Sequence, residues 1–190
     1  LARAEPSVIL PAVDTLADRL ADEGEFYYVR ARCAEALGYV AVEAPDAVTD
    51  PETLADLRLG LAFDEPEVRE KLAKALVYVA LGAPSRLRHQ VSSLADHLDD
   101  DNELVRYHLC TALVVVGCEH PEKLSAADGA LRERLGEENQ YVRGRAAEAL
   151  GLLVDSDPEV ETLPNFDDIG AEGDEVPSFL SDRVRFLRER

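Results

Sequence analysis

The segment YVRGRAAEALGLLV (141–154) has three close copies earlier in the chain, and these four segments decide the fold. The earlier copies are YVRARCAEALGYVA (28–41), EVREKLAKALVYVA (67–80) and LVRYHLCTALVVVG (104–117). All four fit the template V-R-x-x-x-[A/C]-x-A-L, and successive copies are 39, 37 and 37 residues apart. A second marker has nearly the same period: prolines recur at Pro6, Pro45, Pro84, Pro121 and Pro158. Two independent markers with one period predict a repeat architecture.

Each period is predicted to hold two helices, which we name A and B. Helix A begins near the recurring proline, because proline lacks the N–H that would have no partner in a first helical turn. Helix B contains the Val-Arg template. Counting from the repeat arginine at 100° per residue, positions −1, +3, +4, +7 and +10 fall on one apolar face, as Val29, Cys33, Ala34, Leu37 and Val40 do in the first repeat.

An acidic turn precedes each helix B, as in DEGE (22–25) and DDDN (99–102). Its Asp, Glu and Asn residues are expected to cap the helix, and the negative charges of Asp and Glu are expected to interact favourably with the positive N-terminal end of the helix dipole. One helix pair cannot bury its apolar face alone, so successive pairs must stack.

The proline, the acidic turn and the V-R-x-x-x-A-x-A-L run together resemble the HEAT repeat family, over residues 5–154. The resemblance implies an all-α, right-handed α-α superhelix, a HEAT- or armadillo-like solenoid of about four repeats within 1–154. The repeats are expected at about 5–43, 44–82, 83–119 and 120–156. It also implies a ladder in which an acid of the turn and the arginine of helix B link adjacent repeats. The expected ladder residues are Glu25, Arg30, Asp64, Arg69, Asp101, Arg106, Glu138 and Arg143.

The repeat pattern is lost after Pro158. Residues 155–176 are acidic and contain several prolines and glycines, which favours an irregular loop. Residues 177–190 regain helical spacing and are predicted to form a C-terminal helix that caps the stack; a partner-binding tail is the alternative.

The charge of the chain is strongly negative, with 39 Asp and Glu against 20 Lys and Arg, a net of −19. Such a chain repels phosphate backbones, so general nucleic-acid binding is disfavoured. Abundant Asp with only three Lys is typical of proteins from salt-adapted cytosols. The N-terminal LARAEPSVIL has neither a signal-peptide layout nor an initiator Met, so we expect a processed chain or a fragment, in the cytoplasm.

Residues that could carry chemistry are few. Cys33, Cys110 and Cys118 form no CxxC pair, and the first two fall on the apolar face of helix B, so buried thiols are expected. Cys118 and His120 could supply metal ligands, but their spacing gives no complete set. We therefore expect no enzyme, no cofactor and no metal.

The face of helix B opposite the core, at positions −2, +2, +5 and +9, is the predicted binding surface. Its candidate residues, which we call the B-face strip, are Tyr28, Arg32, Tyr39, Lys71, Lys74, Tyr78, His108, Tyr141 and Arg145. Tyrosine and arginine are common at binding hot spots, and position +2 is basic or can become so in all four repeats. The competing interpretation is that Arg32–Glu35 and Arg145–Glu148 are only surface ion pairs.

The sequence thus predicts a protein-interaction scaffold that binds an acidic or amphipathic peptide or helix, without a membrane span. The resemblance leaves two other possibilities open. One is a module that handles a prosthetic group, as in the related phycobilin-lyase-type repeats. The other is a DNA-binding HEAT protein, which the net charge disfavours.

Overall fold

The computed structural model describes residues 2–157 and Val160, and within this part of the chain every regular element is helical. Four helices of 17 residues each contain the Val-Arg template. These B helices are α2 (Tyr27–Glu43), α4 (Pro66–Gly82), α7 (Glu103–Glu119) and α9 (Gln140–Ser156). Each packs on the next along the chain. The predicted all-α stack of helix pairs is confirmed.

Small residues let neighbouring B helices approach closely. A Cβ added at Gly38 of α2 would lie 2.9 Å from the Cα of Ala75 in α4, and one added at Gly82 would meet the carbonyl of Ala41. The leucines at position +7, Leu37, Leu76, Leu113 and Leu150, are completely or almost completely buried. Alanine and glycine therefore set the distance between B helices, and leucine fills the space that remains.

The A layer is shorter and less regular. Its α-helices are α1 (Val13–Ala21), α3 (Pro51–Leu59), α5 (Pro84–Leu87), α6 (Val91–Ala95) and α8 (Asp128–Arg134). Short 3-10 segments cover Pro6–Ala12, Pro45–Ala47, Gly60–Ala62 and Pro121–Ala127. As predicted, Pro6, Pro45, Pro84 and Pro121 each begin a helical turn. The predicted continuous A helices are wrong in two repeats, since the turns that begin at Pro45 and Pro84 end three residues before the next α-helix begins, whereas those that begin at Pro6 and Pro121 run directly into it.

The predicted apolar face of helix B is buried as expected, except at position −1 of the first repeat. Val68, Val105 and Val142 are fully buried, whereas Val29 is 38% exposed. Among the described residues no B helix precedes α2, so Val29 lacks the neighbouring B helix against which the corresponding valines of the later repeats are buried.

The acidic turns cap the B helices through side chains, as predicted, in two of the four repeats. Only asparagine side chains do so: Asn102 accepts the amide N–H of Leu104, and Asn139 accepts that of Tyr141. The N-cap residues of α2 and α4, Phe26 and Glu65, make no side-chain cap. Most carboxylates of the later turns are engaged by arginines instead, as described below.

The C-terminal predictions concern residues that the structure largely leaves undescribed. The irregular loop at 155–176 lies mostly outside the described residues, and the capping helix at 177–190 lies wholly outside them. The division into repeats and a C-terminal segment stays a prediction.

Candidate functional site

The B-face strip lies on the solvent side of the four B helices. Tyr28 and Tyr141 are about half exposed, and Arg32 is exposed as well. The other six residues of the strip are half-buried. The side chains thus form a surface that is accessible to solvent yet packed on one side.

Aromatic rings connect the first two repeats at position +9 of the strip. The ring centroids of Tyr39 in α2 and Tyr78 in α4 are 5.5 Å apart. The Lys74 ammonium lies 5.9 Å from the centroid of the Tyr78 ring, within the range of a cation–π interaction. The structure therefore places Tyr39, Lys74 and Tyr78 in one group that spans two repeats.

Most of the positive charge on the strip is paired. Arg32 donates to Glu35 at 2.6 Å, Arg145 to Glu148 at 2.7 Å, and Lys71 to Glu70 at 3.0 Å. The two arginine pairs are those that the competing surface interpretation predicts. Lys74 differs, because no carboxylate of the described residues lies within ion-pair distance of its ammonium.

His108 does not supply the positive charge predicted for position +2. Its burial, and next the nearby Lys74 ammonium, lower the pKa of His108 to about 4. The imidazole is therefore neutral at physiological pH. It lies beside Tyr107, with the ring centroids 5.4 Å apart.

Sequence reasoning missed part of this surface. The Arg145 guanidinium carbon lies 6.0 Å from the centroid of the Tyr107 ring, although Tyr107 at position +1 was not assigned to the strip. Val42, Leu81 and Cys118, at position +12 of three successive repeats, are all exposed. Position +12 falls at 120°, still on the same face, so extending the helical count past +9 would have found them.

The predicted ladder exists, but its acids are shifted. Arg69 donates from Nε and Nη2 to the carboxylate of Asp100, and from Nη2 to Asp101 as well. Arg106 donates from Nε and Nη2 to Glu137, at 2.9 and 2.7 Å. The main acid thus lies six residues before the next repeat arginine, one residue earlier than predicted.

The residues predicted as ladder acids contribute mainly through their backbone. Nη1 of Arg69 donates to the carbonyls of Phe63 and Asp64, and Nη1 of Arg106 donates to those of Asp100 and Asp101. The side chain of Asp64 makes no ladder bond. An arginine thus binds its own turn through carbonyls and the next turn through a carboxylate.

The pair of Arg69 and Asp100 is the most buried rung, with side chains 12% and 6% exposed. Burial favours the neutral acid, but hydrogen bonds from Arg69 and from the Asn102 amide outweigh it and hold the pKa of Asp100 below its ordinary value. Such charge-assisted, bidentate hydrogen bonds hold adjacent repeats in one relative orientation.

The two ends of the ladder are different. Arg30 donates from Nε to the carbonyl of Leu20, and its guanidinium carbon lies 3.6 Å from the centroid of the Phe63 ring. Its ion pair with Glu65 is long, at 3.7 Å. Glu25 is not a ladder acid, since it pairs with Arg19 at 2.7 Å. At the other end, Arg143 donates from Nη1 to the carbonyls of Glu137 and Glu138.

Among the described residues, no group of three or more His, Cys, Asp or Glu side chains could hold a metal ion. None of the helices found there is long and apolar enough to cross a membrane.

The family model for HEAT repeats matches residues 13–114, more than half of the chain. The chain belongs to the HEAT repeat family. Solved structures agree on the fold of this HEAT repeat protein. It resembles a designed armadillo repeat protein in complex with the peptide (KR)4, with a TM-score of 0.81, 19% identity, and 98% of this chain and 85% of that chain covered.

A second designed armadillo repeat protein gives a TM-score of 0.75 at 18% identity, with 98% of this chain and 86% of that chain covered. An engineered protein from a structural genomics consortium gives 0.73 at 18% identity, with 99% and 87% covered. At such identities the likeness shows the fold alone. No curated protein matches the chain.

Proposed function

We propose that this HEAT repeat chain is a non-catalytic scaffold that binds a protein segment along the B-face strip. The observation that carries the proposal is the group of Tyr39, Lys74 and Tyr78 across two adjacent repeats. Two half-buried rings offer apolar area to a partner, and the ammonium beside them has no carboxylate among the described residues to neutralise it.

The chemistry of this group favours an acidic or amphipathic segment. A partner carboxylate can pair with Lys74, while an apolar side chain of the same segment packs on the tyrosine rings. Apolar burial contributes roughly 25 cal/mol per Å² before the costs of association. In concentrated salt, where charges are screened within about 3 Å at 1 M, the tyrosine contacts would supply most of the affinity.

The other basic residues of the strip are paired, which indicates the kind of partner that the strip does not favour. Arg32, Lys71 and Arg145 are each engaged by a glutamate. A phosphate backbone requires a row of cations that are free to pair with it, so this arrangement argues against the DNA-binding alternative. The designed armadillo neighbour is in complex with the basic peptide (KR)4. For the present chain we propose the opposite charge preference at Lys74.

The test measures peptide binding by fluorescence anisotropy with two labelled probes, an amphipathic peptide of alternating Glu and Leu and the peptide (KR)4. Wild type is expected to bind the acidic probe more tightly than (KR)4. Lys74→Glu is expected to weaken that binding at least about tenfold, since it replaces attraction by repulsion. Tyr78→Ala is expected to weaken it as well, and to keep its effect in high salt.

Lys123→Glu is the matched control, because it makes the same charge change on an exposed side chain of the A layer. It should leave binding unchanged. The proposal fails if Lys74→Glu and Lys123→Glu have equal effects, or if the wild type prefers (KR)4. Arg145→Glu is a poor probe, because the side chains of Arg145 and Glu148 are only 18% and 10% exposed and the change would disturb packing.

A further inference from the structure

One long stretch of this acidic chain carries no acidic residue. Residues 71–95 contain no Asp or Glu and hold four lysines or arginines, whereas 39 of the 190 residues of the whole chain are Asp or Glu. In the structure this stretch forms most of α4 and all of α5 and α6. An acidic partner can therefore approach the stack here with less charge repulsion than elsewhere.

The outer side of α4 carries three side chains of this stretch in a row. Lys74, Tyr78 and Leu81 stand at positions +5, +9 and +12 and fall within about 60° of one another around the helix. Tyr78 is half-buried, and Leu81 is 56% exposed. The row begins with the Lys74 ammonium, which has no carboxylate partner in the described part of the chain. It thus offers one cation followed by apolar surface.

A second cation lies at the C-terminal end of α4, where the row ends. Pro45 lies against this end, since a Cβ added at Gly82 would be 3.2 Å from the Cβ of Pro45. Asp46 follows Pro45 and accepts a hydrogen bond from Nη2 of Arg86 at 3.2 Å. This ion pair is open to solvent, with side chains 54% and 90% exposed. Exposed pairs contribute little, so a partner carboxylate can take the place of Asp46.

The other repeats lack this combination. Arg86 stands at position +17 from the repeat arginine, just as Lys74 stands at position +5. In the first, third and fourth repeats, position +5 is Glu35, Thr111 and Glu148, and position +17 is Ala47, Lys123 and Val160. Of the four repeats, the second alone has a cation at both ends of the row.

We propose that Lys74 and Arg86 are the two ends of one binding site, which takes an acidic protein segment lying parallel to α4. This rests on the proposed function and adds the direction and the sequence pattern of the partner. Carboxylates at the two ends of the segment pair with Lys74 and Arg86, and apolar side chains between them pack on Tyr78 and Leu81. From Lys74 to the end of α4 the helix rises about 12 Å, the length of about four extended residues.

The experiment measures fluorescence anisotropy with three labelled peptides. The long probe has two Glu at each end of a Leu-Ala-Leu-Ala centre, the short probe has a single Leu as its centre, and the neutral probe has Ser in place of every Glu of the long probe. Wild type is expected to bind the long probe at least about tenfold more tightly than the short one, because only the long probe reaches both cations. Arg86→Glu is expected to remove this advantage and to leave binding of the neutral probe unchanged.

Lys123→Glu is the matched control, because Lys123 stands at the same position of the next repeat, where Thr111 replaces the lysine of the row. It should leave the advantage of the long probe intact. Asp46→Asn removes the carboxylate that competes for Arg86, so it is expected to tighten binding of the long probe at least about twofold. Loss of folding cannot produce such a gain, and an unchanged affinity would contradict pairing of the partner with Arg86.

Three further results would overturn the proposal. The first is an advantage of the long probe that persists in Arg86→Glu. The second is an equal loss in Arg86→Glu and Lys123→Glu. The third is self-association of the chain without any probe, seen by sedimentation and abolished by Lys74→Glu and by Arg86→Glu, which would assign the site to a second copy.

Lys74→Glu separates the second anchor from the proposed function. If Lys74→Glu leaves binding of the long and the short probe unchanged, binding at the B-face strip is refuted altogether. If it weakens binding of both probes while Arg86→Glu weakens neither, only the anchor at Arg86 is refuted.

Discussion

Replacing Arg69 with Met tests the ladder where it is most buried. The substitution keeps the volume of the aliphatic stem and removes the guanidinium that joins α4 to the turn before α7. Asp100, whose side chain is 6% exposed, then loses its counter-ion. Removing one partner of a buried pair costs about 3–5 kcal/mol. Asp100 keeps the Asn102 amide at 2.8 Å, which places the expected loss near the lower end, about 3 kcal/mol.

Urea unfolding followed by circular dichroism measures this loss. With a denaturant slope of about 2 kcal/mol/M, a loss of about 3 kcal/mol lowers the midpoint by about 1.5 M. A smaller slope in the variant would show that repeats on the two sides of the broken rung unfold separately. Arg32→Met is the matched control: its side chain is 69% exposed, so the expected loss is below about 1 kcal/mol.

A second substitution identifies the cause. Asp100→Asn in the Arg69→Met background removes the buried charge while its amide oxygen can still accept the Asn102 N–H. This double variant is therefore expected to be more stable than Arg69→Met alone. The reasoning is refuted if Arg69→Met costs no more than Arg32→Met, or if Asp100→Asn destabilises the Arg69→Met protein further.

Three other predictions follow from packing and titration. Gly38→Ala is expected to cost about 1–3 kcal/mol, because the new Cβ meets the backbone of Ala75; Gly129→Ala, with open space around its Cβ, should be neutral or slightly stabilising in the same urea assay. Cys118 should react rapidly with a thiol reagent at neutral pH, whereas Cys33 and Cys110 should react only in urea, because both are buried and burial raises the pKa of Cys110 to about 12; fast labelling of more than one thiol in the native chain would contradict the structure. The pKa of His108 is about 4 in the folded chain and about 6.5, the ordinary histidine value, in the unfolded chain. As the pH falls between these two values the unfolded chain binds a proton and the folded chain does not, so the free energy of unfolding should decrease over this window. His108→Gln should remove that part of the decrease, and a pH profile that the substitution leaves unchanged would exclude a depressed pKa.

The architecture could be predicted from the sequence because its period is local and repeated. The interval of 37 to 39 residues and the Val-Arg template locate the B helices without any knowledge of contacts between distant residues. Val29 shows the limit of this reasoning. Its template position predicts burial, but burial at that position requires a preceding B helix. A template averaged over the repeats does not show which repeat lacks such a neighbour.

The ladder acids and the charge of the strip could not be predicted in detail. Glu137 and Glu138 are adjacent and chemically equal in the sequence, and only the path of the turn decides that the carboxylate of Glu137 binds Arg106 while Glu138 contributes only its carbonyl to the ladder. His108 looks capable of positive charge from its residue type, whereas its protonation depends on burial and on Lys74, which lies one repeat away. Such effects of the folded structure do not appear in the repeat pattern of the sequence.

The forward reach of the ladder arginines also bears on how the chain folds during synthesis. Arg69 and Arg106 are each held by carbonyls of the turn just before them, which emerges from the ribosome earlier. Their carboxylate partners are translated 31 residues later. A completed repeat thus presents a pre-oriented cation to the next acidic turn as it emerges, so assembly can proceed from the N-terminus in the order of translation.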